Sequence, residues 1–293
     1  ERSGGCGFSR ADLCADCWWM TSRRATRPLR SNSSSARATE SVTPARVFDT
    51  DGTGVAAGKA VGATTRLVDL AAPAGARAAL VNITIADTAG PGFLRTWIAS
   101  GARPETSTVN ADQAGAFVAN AATIPIDGAG RFIVEAATTA RVVIDVVGWF
   151  TPSGATSGGR FVAVDPDRVT DTREPAAAGN SYTRSGSTIT VFPWGPGGAP
   201  TGEPASAVVL SIGAIAGPGV GGFVGAYPAG GTYAGTSNVN FLNGDVRANT
   251  VVVPLGTDNG VSLETLHVGD VVVEAVGYFT SSAPGSASPG LSS

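Results

Sequence analysis

Lysine is almost missing from this chain: only Lys59 stands among the 20 basic residues, and His267 is its one histidine. A single imidazole leaves general-base chemistry poorly supplied, and it excludes both a multi-His metal site and a Ser-His-Asp triad in each half of the chain. Charged residues reach only 15%, against a usual figure of about 25%. The formal net charge of −3 gives no basic field to gather a phosphate backbone, so nucleic acid is not expected as a partner. No stretch approaches the ~18 consecutive apolar residues that span a bilayer, so no transmembrane segment is expected, and no apolar run precedes a small-residue cleavage site. Cysteine is scarce too, with Cys6, Cys14 and Cys17 all in the first twenty residues. Cys14 and Cys17 have the CxxC spacing, yet a second ligand pair and a βαβ context are both missing, so no metal and no cofactor are assigned. Met20 is the only methionine; it is a candidate start, in which case residues 1–19 are upstream reading.

What the chain does contain is 40 Gly, 18 Pro and 43% hydrophobic residues. With so little charge, its surface must be covered by Thr, Ser, Asn and Gly, which suits β-structure outside the cytoplasm, and the Arg-over-Lys bias fits a GC-rich genome. Residues 1–40 are a Ser- and Arg-rich tail without sustained periodicity, carrying Arg23, Arg24, Arg27, Arg30 and Arg37. Beyond it come short β-branched runs bounded by Gly, Pro, Asp or Asn, such as 79–85, 131–135 and 142–147. No apolar stripe of helical period is long enough for a helix between 41 and 280, and the recurrent Gly and Pro would break one.

The runs repeat. Arg46-Val47-Phe48-Asp49-Thr50 returns as Arg168-Val169-Thr170-Asp171-Thr172, and Gly90-Pro91-Gly92-Phe93 returns loosely as Gly219 to Phe223. Val109-Asn110 matches Val239-Asn240, Ala119-Asn120 matches Ala248-Asn249, and Pro125 matches Pro254, each at an offset of 129 or 130. Asp145 to Phe150 closes the first copy as Glu274 to Phe279 closes the second. A period of this length is too long for a solenoid unit, so each copy is expected to be a complete domain with its own core. The expected organisation is a first β domain at 41–152, a flexible linker at 153–160, a second β domain at 161–281 and a Ser/Pro/Gly tail at 282–293. Seven or eight strands in about 110 residues predict an all-β chain of two tandem β-sandwich-like domains with irregular termini, although a small barrel has the same pattern.

These residues resemble a repeat domain common in secreted and surface proteins of actinobacteria and related high-GC bacteria. That pattern runs R-[LIV]-x-D-T-R, an A-V-x-L-N-V-T-like strand, G-F-[LV], S-N-[LV]-N, A-N, V-P-x-G and V-[DE]-V-x-G-[YW]-F. Arg168, Asp171, Thr172 and Arg173 match its opening, whereas the first copy has Asp51 in place of the second Arg. Ser237-Asn238-Val239-Asn240 matches, whereas Ser107-Thr108-Val109-Asn110 lacks the first Asn. Over residues 44–280 the resemblance implies an exported accessory module, sometimes joined to cell-wall enzymes, and brings no catalytic residues with it.

Several motifs invite chemistry and then fail it. Gly217, Gly219 and Gly222 spell G-x-G-x-x-G, but a strand follows where a dinucleotide site needs a helix, so a hairpin loop is expected. Asp49-Thr50-Asp51-Gly52 opens like a calcium loop, yet Ala60 stands where the bidentate Glu is required. The better expectation is a structural brace in each copy, Arg46 with Asp49 and Arg168 with Asp171. Asp145 and Glu274 are lone carboxylates in apolar strands, without the partner that glycoside hydrolysis needs. Aromatic side chains are the best binding clue, because a flat ring stacks on the apolar face of a sugar. Trp194, in a Pro/Gly-rich loop peculiar to the second copy, and Tyr233 are the candidate ligand-binding residues, while the structural reading of Trp194, stapling its loop against the domain, is the better expectation for that ring. Trp97 with Tyr227, and Trp149 with Tyr278, occupy matching strand positions and are expected in the cores. The chain is therefore expected to be a non-enzymatic, extracellular or cell-surface structural or adhesive protein that contacts glycan or protein or associates with itself. The alternative is a carbohydrate-binding accessory of a cell-wall enzyme.

Overall fold

A computed structural model describes residues 38–51, 64–152, 159–174, 182–194 and 204–281. Cys14, Cys17, Met20, the basic tail, Ala60, most of the proposed linker and the C-terminal tail lie outside the described residues.

Alternating apolar residues build the first copy from eight strands. They are β1 (Ala38–Asp49), β2 (Thr64–Asp69), β3 (Ala78–Ala86), β4 (Gly92–Ile98), β5 (Val109–Ala111), β6 (Val118–Pro125), β7 (Arg131–Ala136) and β8 (Arg141–Thr151). All pairings are antiparallel, in two sheets ordered β1-β8-β3-β6 and β2-β7-β4-β5. Val81, Ile83 and Ile85 of β3 and Val142, Ile144 and Val146 of β8 meet Val68, Leu94, Phe132 and Val134 of the facing sheet in one core. Successive side chains on a strand point to opposite faces, so one set of alternate residues is enough to make that core.

The second copy repeats the plan with β9 (Phe161–Asp171), β10 (Tyr182–Ser185), β11 (Thr188–Val191), β12 (Ala205–Ala216), β13 (Gly222–Pro228), β14 (Val239–Phe241), β15 (Val246–Pro254), β16 (Val261–Leu266) and β17 (Val268–Thr280). Its sheets run β15-β12-β17-β9 and β10-β11-β16-β13-β14. Matched strand for strand, this is the order of the first copy plus β10, an edge strand with no counterpart among the described residues of the first. Two separate sheets enclose each core, so each copy is a sandwich and not a barrel. The only helical element among the described residues is a 3-10 turn at Thr257–Asn259.

The sandwiches do not stand apart. Every residue of β3 is buried, because the face turned from its own core packs on the second copy. Leu80, Val147, Ala207, Val209, Val252 and Phe279 form a third apolar cluster between the two, joined by Phe150 and Val276. Leu80 and Val209 are equivalent positions of the repeat, as are Val147 with Val276 and Phe150 with Phe279. The seam therefore draws on one patch of the repeat twice, an approximately self-complementary arrangement.

Two expected core residues are corrected by strand parity. Leu94 of β4 and Val224 of β13 face inward. Trp97 and Tyr227, three residues on in each strand, therefore face outward and are only half-buried. Trp149 and Tyr278 are buried as expected, Tyr278 completely.

Candidate functional site

The R-x-x-D-T motif is a brace that ties the first strand to the last. Thr50 Oγ1 accepts the Val142 N–H at 2.9 Å, and Thr172 Oγ1 accepts the Val271 N–H at 2.8 Å. Asp49 Oδ1 accepts the Asp51 N–H at 3.1 Å and Asp171 Oδ1 accepts the Arg173 N–H at 3.2 Å, closing the same turn in each copy. Arg46 lies 3.5 Å from Asp49 and Arg168 lies 3.0 Å from Asp171, the two ion pairs the sequence predicts. Each Arg also reaches the carboxylate of its last strand, Asp145 at 3.0 Å and Glu274 at 2.9 Å.

The bidentate partner of each brace Asp escapes sequence reasoning. Arg141 grips Asp49 at 2.9 and 2.7 Å, whereas Arg173 grips Asp171 at 2.8 and 2.5 Å. Burial alone would raise the Asp49 carboxyl, but hydrogen bonds from Arg141 and the Asp51 N–H, with the charges of Arg141 and Arg46, hold it below its ordinary value. The Arg173 hydrogen bonds hold Asp171 down at about 2. Asp145 is different: it is 1% exposed, burial pushes its carboxyl up despite Arg46, and its Oδ2 has no hydrogen-bond partner. An orphaned buried acceptor costs roughly 1–3 kcal/mol.

Beside Asp145 a polar network crosses the seam. Asn82, opposite Asp145 on β3, donates to the Ser237 carbonyl at 2.6 Å. Asn249 donates to Asn82 Oδ1 at 3.2 Å and to the Asn238 carbonyl at 2.8 Å, while its own Oδ1 accepts the Ala121 N–H at 3.1 Å. The A-N motif thus acquires a mechanism: Asn120 likewise donates to the Thr108 carbonyl at 2.9 Å, so each motif Asn pins the segment before the V-N strand.

Beside this network the outward face of the first sandwich and the 233–242 region of the second enclose a groove. One compartment, about 250 Å³, is lined by Arg46, Thr84, Arg141, Phe223, Tyr233 and Ser237 among others. The next, about 370 Å³, is lined by Gly221, Gly222, Phe241 and Leu242. Phe117, Phe223 and Asn240 line both. Tyr233 stacks on Phe223 at 6.3 Å and 15° and donates its hydroxyl to the Thr236 carbonyl at 2.8 Å. Burial, reinforced by Glu264, pushes the Tyr233 hydroxyl up to about 12, so it stays a neutral donor. Gly225 is required beneath it, since a Cβ there would come within 2.6 Å of the ring. Asn240 Nδ2 is buried and has no hydrogen-bond partner.

Of the two candidate binding aromatics, Tyr233 lines the groove and Trp194 does not. Trp194 is half-buried on the second core, its ring 5.5 Å from Tyr278 at 74°, and staples its loop to the domain. His267 is an exposed turn residue at φ 53° whose Nδ1 lies 3.1 Å from the Gly221 carbonyl oxygen. Gly217 to Gly221 form the loop between β12 and β13, with no helix following; these strands belong to different sheets, so the loop crosses between sheets and is not the expected hairpin. Asp49 meets arginines where the calcium reading would need a cation, and no group of three His, Cys, Asp or Glu suited to a metal occurs among the described residues. No helix among them is long and apolar enough to cross a membrane.

No family model matches the chain, and no curated protein matches it. Among solved structures, it is similar to the N-terminal CBM22-1-CBM22-2 tandem domain of Paenibacillus barcinonensis Xyn10C, at 9% identity over 82% of this chain and 99% of that one, with a TM-score of 0.20. It is also similar to a chain of the Broad Bean Stain Virus structure, at 11% identity over 89% and 98%, with a TM-score of 0.19. Scores this low carry no argument, and the fold assignment rests on the strand order and the two cores.

Proposed function

We propose that this chain is a non-enzymatic, extracellular surface protein that holds a glycan in the groove between its two sandwiches. The observation that carries the reading is the meeting of aromatic rings from Phe117, Phe223 and Tyr233 with the planar polar groups of Arg46, Arg141 and Asn240. Rings stack on the apolar face of a sugar, fixed polar groups read its hydroxyls, and the larger compartment, about 370 Å³, falls in the range of small-ligand sites. The non-catalytic part rests on the carboxylates. Asp49 and Asp145 are 6% and 1% exposed and committed to arginines, and neither lines the groove, so neither reaches a scissile bond there. The resemblance to exported repeat domains supports the extracellular setting.

Retention on a panel of insoluble polysaccharides tests the proposal. Wild type is expected to be retained on at least one, Phe117→Ala to lose about tenfold or more in affinity, and folded Trp194→Ala to bind as wild type. No retention of wild type, or full retention of Phe117→Ala, overturns it. A second reading, self-association by strand addition, is favoured by β10, which among the described residues pairs only with β11 and is exposed along Thr183–Ser185. Filaments in electron micrographs would support it, and dispersed particles at high concentration would remove it.

A further inference from the structure

Resting on the groove reading, we infer that the binding site runs on past the groove along β13, over Tyr227, and so takes an extended stretch of a linear glycan. The rings stand in order on one face of that strand. Gly222 borders the second compartment, Phe223 borders both, Tyr233 lies over Gly225 beside the first, and Tyr227 lies beyond them, lining neither. Val224 and Ala226 point into the core between them, so Phe223, Gly225 and Tyr227 share the outward face. Tyr233 is the link: its ring centroid is 6.3 Å from that of Phe223 and 5.6 Å from that of Tyr227. The aromatic row therefore does not stop where the groove does.

A polar edge runs beside the row. On the neighbouring β16, Glu264 lies opposite Gly225 and Ser262 opposite Tyr227, and on β11 Thr188 and Thr190 lie opposite those two. Glu264 accepts hydrogen bonds from the Ser187 and Thr188 hydroxyls. A carboxylate has about four lone-pair sites, so half-buried Glu264 keeps acceptor capacity for sugar hydroxyls. A linear glycan presents the matching pair of surfaces, apolar C–H faces for the rings and hydroxyl edges for the acceptors. The same face of the first sandwich is built differently. Arg95, at the place of Gly225, lies over the Phe93 ring at 4.9 Å, and Ile133 and Leu67 stand beside Trp97 where Ser262 and Thr190 stand beside Tyr227. The site is therefore single.

Calorimetric titration of the full chain with cellotriose and cellohexaose, and with the tri- and hexasaccharides of chitin and xylan, tests the inference. In at least one series the hexasaccharide is expected to bind about tenfold or more tightly than the trisaccharide, at one site per chain. Tyr227→Ala, and Tyr227→Leu, which keeps apolar bulk on the sheet without a ring, are each expected to shrink that ratio to about threefold or less once confirmed folded by their melting curves. Trp97→Ala, on the other sandwich, is expected to keep the ratio. Equal affinities or no binding in every series, or a ratio that survives both Tyr227 variants, overturn the inference. If the ratio survives them while Phe117→Ala still loses retention on the polysaccharide, the extension fails and the groove reading stands. If Phe117→Ala is fully retained, or wild type is not retained at all, both fail.

Discussion

The two copies solve one problem with opposite charges in exchanged places. In the second, the guanidinium over the brace carboxylate comes from Arg173 in the turn, and Asp270 at the start of β17 accepts from Thr172 at 3.0 Å. In the first, the turn position holds Asp51 and the start of β8 holds Arg141, which takes over the bidentate grip on Asp49. A departure from the motif in one copy is thus compensated 90 residues away in the same copy. A second exchange shaped the groove. Where the first sandwich clamps buried Glu135 between Arg103 and Arg95, the second has Glu264, with Tyr233 at the place of Arg103 and Gly225 at that of Arg95. One face became an ionic lock, the other an aromatic platform.

Breaking the charge exchange should give the largest effect. Arg141→Asp puts a carboxylate against Asp49 and Asp51 and is expected to cost about 3–5 kcal/mol in denaturant unfolding; adding Asp51→Arg, which copies the second sandwich, should recover more than half. The Glu135 comparison comes next. Glu135→Ala leaves Arg95, 6% exposed, without its charge partner, at an expected cost of about 2–3 kcal/mol, whereas Glu264→Ala loses only bonds from Ser187 and Thr188 and should cost about 1 kcal/mol or less. For the motif asparagines, Asn249→Ala breaks a network across the seam and should cost about 2 kcal/mol, while exposed Asn120→Ala should cost about 0.5 kcal/mol.

Acidification separates the carboxylates by sign. The Asp145 carboxyl is raised above its ordinary 3.8, so the folded state holds the extra proton first; its contribution grows as pH falls through the folded value and is lost as pH rises through it. Asp145→Asn should abolish that gain in pH-dependent melting. Asp171 is lowered to about 2, so its contribution is full above the ordinary 3.8 and is lost as pH falls toward 2; Asp171→Asn should flatten that limb.

Much of this was legible in the sequence, and for physical reasons. Local period and turn chemistry marked the strands, and the ordered recurrence of R-x-x-D-T, V-N, A-N and G-[WY]-F marked two copies of one sandwich. The Arg46–Asp49 and Arg168–Asp171 pairs were readable because three residues separate their members. Arg141 was not, since it meets Asp49 only after β1 and β8 pair. Asn82 lay unremarked in an apolar run, and apolar Leu80 on the same outer face of β3 was the signal that this face meets another surface. Trp97 and Tyr227 were misplaced because matching positions show equivalence and not which face is inward; Leu94 and Val224 decide that. The groove was illegible because no single segment contains it: Arg46, Phe117, Tyr233 and Asn240 converge only through the seam. Trp194 drew attention by its loop, yet Tyr278 beneath it makes it a staple.

Hydrogen exchange of the full chain, with and without a saturating soluble oligosaccharide of the polysaccharide that retains it, tests the central claim most directly. The account predicts new protection at 115–118 and 233–242 together, with 191–194 unchanged. Protection centred on 191–194, or none in either groove segment, would contradict it.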